Sequence, residues 1–193
     1  MTKMDRRSLV YIAIFGTRWG LCEATIGTTL HLLHIPLSGA ILASIGMSII
    51  LIARVYNPVR GTTLLMALIA ASIKMLSFST IKLGPFIAIV LEGFLLELVL
   101  TIQGTGKIAF FTSAIIVAIY PILQTIMTKS ILFGSSFVPV ILELVEGFSE
   151  RIGYEAGWWM LGLYLLTHFL FAFIAMIFSW KIIQRLKMDV ETV

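Results

Sequence analysis

The chain has 193 residues, of which 59% are hydrophobic and 12% charged, against roughly 45–50% and about 25% in soluble proteins. A soluble globule of this length must cover its surface with polar side chains that are missing here. Composition therefore excludes a soluble domain, a disordered chain and a nucleic-acid-binding module.

Mean hydropathy is +1.03, and 14 Lys and Arg exceed 10 Asp and Glu, the signature of an integral membrane protein with basic ends. The single cysteine, Cys22, permits no internal disulfide.

A spanning helix needs about 20 mostly apolar residues, because about 30 Å of hydrocarbon is crossed at about 1.5 Å per residue. Six runs qualify, which predicts an all-α bundle of six transmembrane helices in one domain over 1–193. The first, 8–33, is turned by Pro36, and the second, 37–55, is closed by Asn57-Pro58. The third, 62–80, is ended by Gly84-Pro85. The fourth, 86–102, precedes Gly104-Thr105-Gly106. The fifth, 107–128, contains Pro121, and the sixth is 156–183. The first run carries Arg18 and Glu23 and continues past Leu30, so it reads as a mature helix rather than a signal peptide.

Basic residues orient the chain. Lys3, Arg6, Arg7, Arg54, Arg60, Lys107, Lys181, Arg185 and Lys187 fall on one side, and Lys82, Lys129 and Arg151 on the other. The positive-inside rule then places both termini in the cytoplasm of a multi-pass cell-membrane protein embedded in the lipid bilayer. Between the fifth and sixth runs, Glu143, Glu146 and Glu150 share one helical face while Ile141, Leu144, Val145 and Phe148 share the other. That pattern predicts an amphipathic helix on the outer surface, either floating at the interface or closing over a pocket as a lid.

Charges inside a membrane are costly and need a partner or a function. Rise per residue sets Arg18 near the midplane and brings Glu23, Lys74, Glu92, Gln124 with Tyr120, and Tyr164 with His168 to its outer half. As plain structure, Glu23 or Glu92 would pair with Lys74, and Glu97 with Arg18. As function, polar groups converging at one depth form an outward-facing small-molecule pocket.

Candidate binding residues are Arg18, Trp19, Glu23, Lys74, Glu92, Tyr120, Gln124, Tyr164 and His168. Carboxylates beside aromatic walls from Trp19, Tyr120, Tyr164 and Trp158 or Trp159 suit a flat cationic or amine-bearing heterocycle. A carboxylate-bearing solute held by Arg18 and Lys74 is the alternative. His31-x-x-His34, two turns beyond Glu23, also allows a shared metal ion. No nucleophile elbow, zinc-protease motif or phosphate-cradling loop is present, so neither catalysis nor a cofactor is expected.

The small-residue stripe Gly16-x-x-x-Gly20-x-x-x-Ala24 and the segment Gly84-Pro-Phe-Ile-Ala-Ile-Val-Leu-Glu92-Gly-Phe resemble the substrate-binding S component of energy-coupling factor (ECF) transporters. The resemblance extends to six helices with both ends inside. It implies a subunit that binds a vitamin, a vitamin precursor, nickel or cobalt from outside and releases it inward by toppling. It further implies that Gly16, Gly20 and Ala24 dock a transmembrane coupling subunit driven by two cytoplasmic ATPases. In this chain the lid would come from residues 135–152 rather than from the tight turn after the first helix. A non-transport scaffold or accessory protein is the rival class.

Overall fold

The computed structural model describes residues 4–33, 35, 37–76, 83–133, 137–153 and 158–191. They form seven α-helices and no strand: α1 (Arg6–Leu32), α2 (Ser38–Tyr56), α3 (Thr62–Met75), α4 (Leu83–Gln103), α5 (Lys107–Phe133), α6 (Phe137–Ile152) and α7 (Trp158–Glu191). Five are long and apolar enough to cross a membrane, over Arg6–Leu30, Ser38–Tyr56, Leu83–Gln103, Lys107–Met127 and Trp159–Leu186. α3 is apolar but only 14 residues long.

The third expected run is helical to Met75, and residues 77–82 lie outside the described residues. Gly84-Pro85, expected between helices, instead sits in the first turn of α4. The first N–H groups of a helix have no acceptor within it, so proline costs little there. Pro121 lies inside α5 without ending it.

α2 is central: it touches every other helix except α6, while α1, α3, α4, α5 and α7 form an arc around it. The core is built on Trp19, Met47, Ile50, Leu51, Leu96 and Phe110. The outward face is apolar as well. Leu166, Ile174 and Phe178 of α7 are 63%, 55% and 60% exposed, a surface that water would not tolerate but lipid does.

α1 and α3 pack closely because both present small residues. A Cβ on Gly16 would lie 3.1 Å from the Met66 carbonyl oxygen, and one on Gly20 only 2.8 Å from the Ile73 Cβ. Ala67, Ala70 and Ala71 of α3 are fully buried. The face carrying Gly16 and Gly20 is thus covered by α3 of the same chain. Close backbone approach is what such stripes permit, and here the partner is internal.

At one end, α1, α2, α3 and α4 are tied by buried polar bonds. Ser8 Oγ donates to Asn57 Oδ1 at 2.9 Å, and Asn57 Nδ2 donates to the Ser8 carbonyl at 3.2 Å. Beside α1's first turn, the Ser8 N–H donates to Asp5 Oδ1 at 2.8 Å, and that bond holds the Asp5 carboxyl below its usual range.

Glu97 pairs with Arg54 at 3.2 Å, not with Arg18, the partner that the plain structural alternative gave it. Its oxygens also accept the Gly61 and Thr63 N–H groups at 2.7 and 3.0 Å and the Thr101 hydroxyl at 2.6 Å. Arg54 donates in turn to the Val59 carbonyl and to Thr62 Oγ1. A carboxylate from α4 thus caps α3, supplying negative charge where unpaired helical N–H groups need it. This is the basic end, and it also carries Arg6, Arg60 and Lys107.

Candidate functional site

The opposite end encloses a cavity of about 720 Å³ to which all seven helices or their first turns contribute. Small residues open the space: Ser38, Gly39, Ala40 and Ala43 at the start of α2, and Gly84, Pro85 and Ala88 at the start of α4. Gly84-Pro85 was expected only as a boundary, and the first group, inside the second run, was not singled out as a wall. Its signal was there, since a run of small residues beside a helix start cannot fill volume.

Of the nine expected binding residues, seven line this cavity: Glu23, Lys74, Glu92, Tyr120, Gln124, Tyr164 and His168. Two do not. Arg18 is exposed on the other face of α1, alongside the exposed Ile14 and Leu21. Depth along the helix sets it near the midplane, below the other polar groups, and the helical angle turns it away from them. Trp19 is fully buried and packs behind the wall against Gly46. Among the aromatic candidates, Trp159 is 58% exposed and forms no wall. The side chains of Trp158 and His31, and the whole of His34, lie outside the described residues.

At the base, Tyr120 Oη donates to Glu92 Oε2 at 2.9 Å. Glu92 is 2% exposed, and its second oxygen, Oε1, has no hydrogen-bond partner among the described residues. The indole Nε1 of Trp19 is likewise unpartnered. Both atoms lie 2.7 Å from the point where a Cβ on Gly46 would stand, so glycine there leaves just enough room for them.

Lys74 is committed elsewhere. Its Nζ donates to the Glu23 backbone carbonyl and sits 3.8 Å from Glu23 Oε2. The expected pairing of Lys74 therefore falls on Glu23, and no Lys or Arg among the described residues pairs with Glu92. A buried carboxylate with half its acceptors unmet is costly unless a donor reaches it.

The mouth is acidic and aromatic. α6 buries Val140, Val145 and Phe148 against the bundle and leaves Glu143, Glu146 and Glu150 exposed at the cavity rim. Phe148 meets Tyr164 edge-on at 5.3 Å, and Tyr164 lies 4.4 Å from the His168 ring. His168 Nδ1 is 2.9 Å from the Tyr164 carbonyl. The lining thus sets five carboxylates against one lysine, which favours positive charge within. With Arg18 outside, an anion held jointly by Arg18 and Lys74 has no site here.

No family model, no curated protein and no solved structure matches this chain.

Proposed function

We propose that the protein is the solute-binding membrane subunit of an uptake system for a small, flat, cationic or amine-bearing heterocycle of vitamin or vitamin-precursor type. In this reading α3 counts as a sixth span, both termini are cytoplasmic and the cavity opens outward. α6 lies over the mouth as a lid. Energy comes from partners, a transmembrane coupling subunit driven by cytoplasmic ATPases.

The observation that carries the reading is the Glu92 carboxylate, buried at the base of an acidic, aromatic-walled cavity with one oxygen unpartnered. A ligand N–H donor or cation meets that oxygen by a charge-assisted bond, and Tyr164 with Phe148 offers ring faces at the rim.

The test is uptake of a panel of labelled cationic and neutral heterocycles by cells making this chain with and without candidate ATPase subunits. Accumulation of a cationic member that requires the ATPases supports the reading. A purified chain that retains no solute, and co-purifies only with an unrelated membrane complex, makes it a scaffold instead.

A further inference from the structure

A second cavity, about 510 Å³, lies at the basic end between the start of α5 and the second half of α7. Its walls are apolar, from Phe110, Phe111, Met176, Ile177 and Trp180. Phe111 and Ile177 are 51% and 48% exposed, so the groove lies on the bundle flank rather than in its core. Phe110 and Trp180 meet edge-on at 5.3 Å and form a rigid back wall.

Two cations flank it. Lys107 and Lys181 are both exposed and both line the groove, with Lys107 Nζ 5.9 Å from the Trp180 ring centre. Neither has an ion-pair partner among the described residues, and no carboxylate lines the groove. This is the reverse of the first cavity, with positive charge at the mouth and hydrocarbon walls beneath. Lys107 also opens α5, where the unpaired helical N–H groups add to the positive potential.

We propose that this groove seats one anionic phospholipid, with an acyl chain along Phe111, Met176 and Ile177 and its phosphate between the Lys107 and Lys181 ammonium groups. A soluble phosphate would gain nothing from the apolar walls. A zwitterionic lipid would bring its own cation to the two lysines. A tryptophan at the boundary between the lysines and the groove is where an amphipathic ring sits at headgroup level. Basic pockets between spanning helices recognise acidic headgroups by this combination of charge and apolar groove.

Native mass spectrometry of the detergent-purified full chain, titrated with phosphatidylglycerol or phosphatidylcholine of matched chains, tests it. The parent should retain one phosphatidylglycerol about 30-fold more tightly than phosphatidylcholine, as two headgroup-level lysines imply. The surface variant Lys107→Gln/Lys181→Gln should lose that preference while its retention of phosphatidylcholine stays the same. Excess inorganic phosphate should leave the complex intact. An unchanged preference in the double variant overturns the proposal, as does no preference in the parent. So does displacement by inorganic phosphate, which would make this a soluble-anion site, or a second copy of the chain occupying this face in place of lipid.

Discussion

Glu92 is bonded on one side only, and Gly46 is what lets it stay that way. Tyr120 fixes Oε2, while Oε1 and the Trp19 indole nitrogen share the space over Gly46. A methyl group there would lie 2.7 Å from both atoms and 2.9 Å from Trp19 Cε2. Trp19 is fully buried and cannot swing aside, so the strain falls on the carboxylate and on the α1–α2 contact. Gly46→Ala should lower stability by about 1–3 kcal/mol, the usual cost of overpacking. It should also weaken solute binding, with thermal unfolding and titration of the same preparation measuring the two effects. A variant as stable and as tight-binding as the parent would mean that the base of the cavity is looser than its geometry. Glycine at 46 was not legible in the sequence, because its role depends on two side chains from other helices.

Among the elements, α3 depends most on its neighbours. It is short, it is gripped along its small-residue face by α1, and its N-terminus is capped from α4 by Glu97. Breaking a buried pair by removing one charge costs about 3–5 kcal/mol. Glu97→Gln should therefore lower the unfolding temperature markedly while leaving solute affinity intact, since Glu97 lies at the end away from the cavity. Loss of affinity without loss of stability would contradict that division. Gly20→Val should also destabilise, because its branched side chain would meet Ile73 and the Ala70 backbone. Pull-down of membrane partners by this variant should fall only as far as folding does. If partner capture fails while the fold holds, Gly20 faces a partner after all.

Five helices were legible as spans because an apolar run of about 20 residues is a local signal, whereas Gly84-Pro85, read as a break, lies inside α4. The helix pairings were not legible. The plain structural alternative paired Glu97 with Arg18, but Arg54, read only as a basic residue of the cytoplasmic end, is the residue 2% exposed that closes on Glu97. Depth comes from sequence position, whereas the choice of partner needs the facing angle of both helices.

At the scale of the whole molecule, charge divides the bundle into two unlike ends, one rich in Lys and Arg and one with a carboxylate-lined cavity. In a Cys22→Ser background, Gln103→Cys at the basic end and Glu150→Cys at the cavity rim should lie on opposite sides of the membrane. An impermeant thiol reagent applied to intact cells should label Glu150→Cys alone, and the reverse pattern would invert the proposed orientation. The convergence of seven polar residues in one cavity was readable from depth because five helices delivered them to one level. The central claim, that Glu92 receives a solute's cation or N–H donor, is tested most directly by calorimetry of the purified chain and its Glu92→Gln variant with the cationic heterocycle that the uptake panel identifies. Losing the carboxylate partner of a desolvated cation costs about 2–5 kcal/mol. Affinity should thus fall by roughly 30-fold or more with the helical content and unfolding temperature maintained. Equal affinity in the parent and in Glu92→Gln would show that the solute is held elsewhere.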